Sequence, residues 1–329
     1  MQSTRRILLA GAVASGLCRP HVACAAVRVA KLGVNNKPDS QYGVACQALA
    51  DAVAADHGLA SFLKIDVRFN AELGDELAMM TDCRQSTIDM ALCTTLVAGA
   101  FCPEAGLLDA PFIFKSVAQG RAAMDGTAGA DYAALLKAKD IHVLAWAENG
   151  SRHIASSRPI RTPEDLKGLK LRLPQSGVML SSFRSLGADA KPLAFTQLYE
   201  ALRTGEFEAH ENVISAMESM RAAEVQKYLS LTGHVYSTAL FMASPELLED
   251  LPAPQAAALR DAARKGAAVS RSFADAAQRD GVKRLQQAGM TVVEGIDIGQ
   301  FIAACRPGME ALGKQFGMDS VNRLISAGA

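Results

Sequence analysis

The run Leu169-Lys170-Leu171-Arg172-Leu173-Pro174 alternates leucine with a cation. That period of two is a strand with leucines on one face and Lys170 and Arg172 on the other. A charged side chain on such a strand faces solvent by default. The sharper alternative fixes the Arg172 guanidinium at a strand end facing a cleft, where its planar fork suits bidentate capture of a carboxylate. Arg152, two residues past Gly150, admits the same two readings. No catalytic constellation competes with them. The chain has no GxSxG elbow, no GxGxxG, no P-loop and no HExxH. His210-Glu211 begins like the last of these, but Ile214 stands where a second histidine is needed. The acids are scattered, so no acid/base pair stands out. Neither a cofactor nor a metal is expected.

The 329 residues carry 34 basic and 34 acidic side chains. Without a basic excess nothing is set to neutralise phosphates, which excludes nucleic acid as a partner. The first 25 residues differ from the rest. Arg5 and Arg6 precede an apolar run from Ile7 to Leu17, and Ala23-Cys24-Ala25 supplies a small-residue cleavage pattern. This reads as a secretory signal peptide over 1–25, with export to the periplasm and a mature start at Ala26. The apolar run is too short to span a bilayer. Thr4-Arg5-Arg6-Ile7-Leu8-Leu9 resembles a twin-arginine signal, leaving two export routes open. Five cysteines remain beyond the leader, namely Cys46, Cys83, Cys93, Cys102 and Cys305. Their odd number and lack of a CxxC argue against zinc. Small buried hydrophobes are the plain reading, while an oxidising compartment also permits disulfides that the sequence does not pair.

Strand and helix signals alternate along the chain. Leu63, Ile65, Val67 and Phe69 alternate with polar residues, a half-buried strand. Residues 40–57 carry helical spacing and stop at Gly58. Short strands are expected over Ile88–Cys93 and His142–Ala147, with helices around 116–124 and 130–138. Thr162-Pro163-Glu164-Asp165 is a helix start, with threonine as N-cap and proline at N1. A strand over Leu169–Leu173, helices near 176–186 and over Phe195–Arg203, and a strand near Phe207–His210 follow. From Gln255 to Gln287 there is no proline and much alanine. This predicts one helix of about 33 residues, roughly 50 Å long, able to cross two domains. The alternative is a pair of helices broken near Gly266.

Several of these segments, in order, resemble the DctP-type solute-binding proteins of TRAP (tripartite ATP-independent periplasmic) transporters. They are Asn149-Gly150-Ser151-Arg152, Arg158-Pro159-Ile160, Pro163 to Pro174, Pro192 to Leu202, and Glu211-Asn212. Leu73-Gly74-Asp75-Glu76 and Asp109-Ala110-Pro111-Phe112 continue the series. The resemblance implies a two-domain α/β periplasmic-binding-protein-like fold, with a cleft between the domains and a long bridging helix. Residues 26–149 with 238–277 would form one domain, and 150–237 with 278–329 the other.

The resemblance makes Arg172 the carboxylate anchor, Arg152 a second arginine near the ligand, Asn212 a carboxylate contact, and Glu211, its partner in the Glu-Asn pair, a further ligand-binding residue. Phe195 would wall the pocket and Asn35 would reach it from the end of the first strand. The sequence departs from the family at His210, where glutamine is usual, at Val213, and at Glu208-Ala209. A histidine satisfied by local hydrogen bonds is the expected state of His210. Thr94, Thr95 and Val97 stand where sialic-acid-binding members carry a glutamate and an arginine, which disfavours sialic acid. The implied function is capture of a small mono- or dicarboxylate by a monomer. It would be delivered to the small and large integral membrane subunits of a TRAP transporter. A ligand sensor feeding a signalling receptor, or an exported enzyme acting on an organic acid, are the alternatives.

Overall fold

The computed structural model describes residues 27–328. The signal peptide expected over 1–25 lies outside these residues. The chain opens with β1 (Arg28–Gly33), α1 (Gln41–Ala55), α2 (His57–Ala60) and β2 (Leu63–Arg68). Next come α3 (Glu76–Arg84), β3 (Met90–Thr94), α4 (Thr95–Ala98), α5 (Val117–Asp125) and α6 (Thr127–Lys137). Ser40 and Asp75 cap α1 and α3 by accepting the backbone N–H groups of Gly43 and Ala78, which satisfies donors at the helix start. The strand predicted over His142–Ala147 runs on to Ser156 as β4 (His142–Ser156).

The second half builds β5 (Lys170–Leu173), α7 (Gly177–Ser185), β6 (Asp189–Pro192), α8 (Phe195–Arg203), β7 (Ala209–Val213) and α9 (Ile214–Ser219). The helix start at Thr162 makes a single 3₁₀ turn over Pro163–Leu166, its capping box formed by Asp165. The strand expected near Phe207–His210 lies slightly later, as β7. β8 (Tyr228–Ala243) then returns the chain, followed by α10 (Pro245–Asp250), α11 (Ala253–Ala276), α12 (Val282–Gln287), β9 (Thr291–Val293), α13 (Ile298–Phe316) and α14 (Met318–Ser326).

All strands join one sheet in the order β2-β1-β3-β8-β4-β7-β5-β6, with β9 added to β8. Two long antiparallel strands tie its halves together. The end of β8 pairs with β3 and with the start of β4, whereas Arg152–Ser156 of β4 pair with β7 and Tyr228–Ser230 of β8 pair with β9. Their register shifts between Val143 and Ala145, between Arg152 and Ile154 and, midway, between Glu148 and Gly150. Gly150 sits there at φ +125°, a conformation side chains rarely tolerate. In the first half, successive residues feed opposite cores. Met90, Leu92 and Phe241 pack on one face, and Ala91, Cys93, Leu240 and Met242 on the other. A sheet covered on both faces explains why these strands read as continuous apolar runs. In the second half one core gathers Leu171, Leu173, Met179 and Phe183, and another gathers Ala155, Leu229 and Ile214. The five cysteines among the described residues are buried free thiols.

The helix predicted from Gln255 to Gln287 is continuous from Ala253, with a π-helical turn at Ala277–Gly281 joining α11 to α12. α11 packs on α1 and on β4, while the π turn and α12 reach α9 and β9 of the other half. Gly266 does not break it. A Cβ there would lie 2.7 Å from the Ala45 carbonyl oxygen and 3.1 Å from the Phe241 ring. The glycine is a packing residue that lets helix, helix and sheet approach. Gly266→Ala should therefore lower the thermal midpoint, overpacking costing about 1–3 kcal/mol. A rise in calorimetry, reflecting only alanine's better helix propensity, would show that this contact does not govern the position.

Candidate functional site

A cleft between the halves encloses about 550 Å³, mouth included. Its walls are the carboxyl ends of strands and the first turns of the helices that follow them. Asn35 follows β1, Thr94 ends β3, Pro174 and Gln175 follow β5, Ala194 and Phe195 follow β6, and Asn212 lies near the end of β7. This is where open α/β sheets place ligands, because helix N-termini with free N–H groups converge there. Ala194, the N-cap of α8, supplies no side-chain acceptor to that helix's first turn.

Arg172 is only 3% exposed although it occupies a polar position of an alternating strand. β5 is an interior strand between β7 and β6, and of its four residues only Lys170 is exposed. Arg172 Nε and Nη2 donate to the Leu193 carbonyl oxygen at 2.9 and 2.5 Å. Those bonds aim the guanidinium and leave the rest of its fork at the cleft wall. Among the described residues no carboxylate pairs with it. Burial pulls its guanidinium down to about 10, against the attraction of Glu211.

Arg152 is also buried and lines the cleft, but it is already paired. Glu211 takes its Nε and, at 2.7 Å, its Nη2, which also donates to the Glu211 carbonyl oxygen at 2.9 Å. His234 Nε2 meets the same carboxylate at 3.3 Å, and its Nδ1 accepts from Thr232 Oγ1 at 2.8 Å. Burial opposes ionisation of Glu211, yet Arg152 and His234 outweigh it and hold the carboxyl well below its usual range. Glu211 does not line the cleft; it sits behind Arg152 and cancels that charge. The cleft therefore carries one uncompensated cation where the sequence suggests two.

Asn35, Arg152, Arg172, Phe195 and Asn212 all meet at the cleft. Asn212 Oδ1 accepts from the Val213 N–H at 2.9 Å, which leaves the Nδ2 donors for other partners. Four further wall residues, Tyr42, Glu76, Asn149 and Gln175, carry no functional signal of their own in the sequence. Glu76 and Asn149 stand inside recognisable segments, but only the folded chain aims them inward. Glu76 accepts from Thr94 N and Oγ1 at 3.2 and 2.7 Å. Burial pushes its carboxyl up, and the Thr94 hydrogen bonds hold it back. Asn35 Oδ1 and Tyr42 Oη are buried without a hydrogen-bond partner among the described residues.

The whole of this scaffold is shared with known proteins. Residues 33–315 match the family described as DctP, bacterial extracellular solute-binding protein, family 7. The chain belongs to the DctP family. A solute-binding protein of Verminephrobacter eiseniae is 36% identical over 304 residues, covering 92% of this chain and 90% of its own. The 2,3-diketo-L-gulonate-binding periplasmic protein YiaO of Escherichia coli is 34% identical over 236 residues, 71% of this chain and 72% of its own. Among solved DctP-like structures, a TRAP periplasmic solute-binding protein of Polaromonas sp. JS666 bound to D-erythronate superposes with a TM-score of 0.88. It is 32% identical, with 92% of this chain and 99% of that one covered. One from Bordetella, with density assigned as pantoate, gives 0.87 at 31% identity over 92% and 99%.

His210 corrects an expectation. It is fully buried opposite Arg172 in the β5–β7 register, and neither ring nitrogen has a hydrogen-bond partner among the described residues. β7 is sandwiched between β4 and β5, so the strand that should satisfy the ring offers its polar groups to the ladder instead. Burial, then the charge of Arg172, pushes the imidazole down to about 3. With the folded value below the unfolded one, the unfolded chain binds the extra proton between about pH 6.5 and 3. Stability is therefore lost as pH falls through that window, at about 1.4 kcal/mol per unit for one group. His210→Gln should flatten the decline of the thermal midpoint between pH 6.5 and 4. Parallel midpoint curves for the two proteins would contradict a neutral buried imidazole.

Proposed function

We propose that the mature protein captures a small hydroxylated carboxylate in this cleft and hands it to the small and large integral membrane subunits of a TRAP transporter. The observation that carries this reading is Arg172. It is a buried guanidinium without an anionic partner among the described residues, and it lines the cleft. A buried charge is costly until it is paired and hydrogen-bonded. A ligand carboxylate supplies the missing partner. The family match supports solute capture, and the ligands of the solved relatives, erythronate and pantoate among them, support an acid.

In this reading Arg172 anchors the carboxylate, with Arg152 Nη1 and Asn212 Nδ2 as neighbouring donors. Phe195 supplies an apolar wall and Asn35 a polar one. Glu211 acts through Arg152, fixing its orientation instead of meeting the ligand. The mature chain begins at Ala26 after cleavage of an export signal and works in the periplasm. Its domains are 26–149 with 238–277, and 150–237 with 278–329. The β4/β8 register shift at Glu148–Gly150 gives the hinge a physical seat. Closing the cleft removes water, which strengthens the charged contacts inside.

Thermal unfolding of the mature protein against a panel of sugar acids tests this. A ligand at 100 times its Kd adds about 2.7 kcal/mol of stability. Arg172→Ala should abolish that shift, and titration calorimetry should show binding weakened by at least about a hundredfold, the scale of two charged hydrogen bonds. Arg172→Lys keeps a charge but not the fork and should fall between. An undiminished shift in the alanine variant would move the carboxylate site elsewhere.

A further inference from the structure

Gln41 is buried at the start of α1, and its amide is fully engaged. Nε2 donates to the Glu148 carbonyl oxygen at 2.6 Å and to the Ser270 carbonyl oxygen at 3.1 Å. Oε1 accepts from Ser215 Oγ at 2.6 Å. A carbonyl oxygen can only accept, so the two backbone contacts consume both amide hydrogens and leave the oxygen for Ser215. The first two bonds stay on one side of the hinge. Glu148 precedes the β4/β8 register shift at Glu148–Gly150, and Ser270 precedes the π turn of the long helix. The Glu148 N–H donates to Ser270 Oγ at 3.0 Å, which ties strand to helix beside α1. The third bond crosses over. Ser215 belongs to α9, which packs on the π turn and α12, beyond those irregularities. Gln41 Oε1 is thus an acceptor held ready on one half, and Ser215 is the donor carried by the other.

Two narrow cavities, of about 240 and 180 Å³ with their mouths included, flank Ser215. Ser40, Gln41 and Ser219 line one, and Ser151 and Gln278 line the other. Polar walls of this kind admit water, which can take over a hydrogen bond when the halves part. Tyr42 and Ala216, the chain neighbours of the pair, line the ligand cleft, whereas Gln41 and Ser215 do not. At the outer end of α9, Lys37 Nζ approaches the Ser219 carbonyl oxygen at 3.5 Å, a weak exposed contact between the same halves. We infer that the Gln41–Ser215 hydrogen bond is the latch of the cleft, forming only as the halves close and setting how long the ligand stays. The inference rests on the organic-acid reading above and adds the control of release. Since neither side chain lines the cleft, the latch acts on the closing equilibrium, and apparent affinity follows the fraction of protein able to close. It governs residence and leaves the choice of ligand to the cleft.

Ser215→Ala removes the donor from the second half and leaves both bonds of Gln41 Nε2 in place. The probes are D-erythronate, pantoate and D-galactonate, added to the mature protein freed of carried-over ligand. Titration calorimetry should show the Kd of every acid that binds raised about tenfold, the scale of a buried acceptor left unpaired. A chase of the bound radiolabelled acid should show release faster by about the same factor, with association unchanged. The ligand-free thermal midpoint should stay at the wild-type value, because the open cleft lets water meet Oε1. Ser215→Thr keeps the hydroxyl and should restore slow release. Adding Ser215→Ala to Gln41→Ala should bring no further acceleration, since the bond is then already gone. Unchanged release from Ser215→Ala overturns the latch while leaving carboxylate capture intact. So does a ligand-free midpoint that falls as far as the ligand-bound one, or a Ser215→Ala protein that does not fold, because the bond would then serve the fold in both states. Failure of all three acids to bind the wild type sinks the organic-acid reading and the latch with it.

Discussion

A guanidinium taken out of water without a carboxylate beside it sets the terms for the rest of this molecule. Arg172 could have been neutralised as Arg152 is, by a glutamate from the neighbouring strand. Instead its only acceptor among the described residues is the Leu193 carbonyl oxygen, which orients the group without cancelling its charge. Desolvation of a lone cation costs free energy that the fold has to supply from elsewhere. Two-faced apolar cores around the sheet, in both halves, are the evident source. An anion reaching Arg172 would supply the partner that the fold itself does not.

The neighbouring pair shows the opposite solution to the same problem. Arg152, Glu211 and His234 form a chain of charge-assisted hydrogen bonds, with Thr232 fixing the imidazole tautomer. Every member is nearly inaccessible, so removing one would strand the others in a low-dielectric site. This network gives the cleft a rigid floor of no net charge, against which a single free cation becomes selective. Glu76, held by Thr94, lines the same cleft.

The two halves meet through elements that can transmit motion. β4 and β8 cross between them as continuous strands, interrupted by the register shift at Glu148–Gly150. The long helix crosses beside them and passes through a π turn at Ala277–Gly281. Gln41 links these parts. Its Nε2 donates to the Glu148 and Ser270 carbonyl oxygens, and its Oε1 accepts from Ser215 at the start of α9. A side chain from the first half thus touches the crossing strand, the bridging helix and the second half, at the place where the cleft walls join.

Much of the scaffold was legible in the chain before any fold was known. The amphipathic strand at Leu63, the helix at Phe195–Arg203 and the alanine-rich run after Pro254 follow from periodicity, which is local. Arg172 and Arg152 stood out by residue type and place as candidate carboxylate anchors, whereas the glutamate and asparagine beside His210 were visible only as a family pattern. Other features were out of reach. β8 has no alternation because both its faces are covered, so its sixteen residues carry no strand period. Glu211 read as a ligand contact and proved to be the counter-charge of Arg152, and His210 read as satisfied and proved partnerless. Both corrections have one cause. Sequence spacing determines which residue types are available and which element carries them. Whether a buried charge finds a protein partner or waits for a ligand depends on distances between strands far apart in the chain, and those exist only once the sheet has assembled.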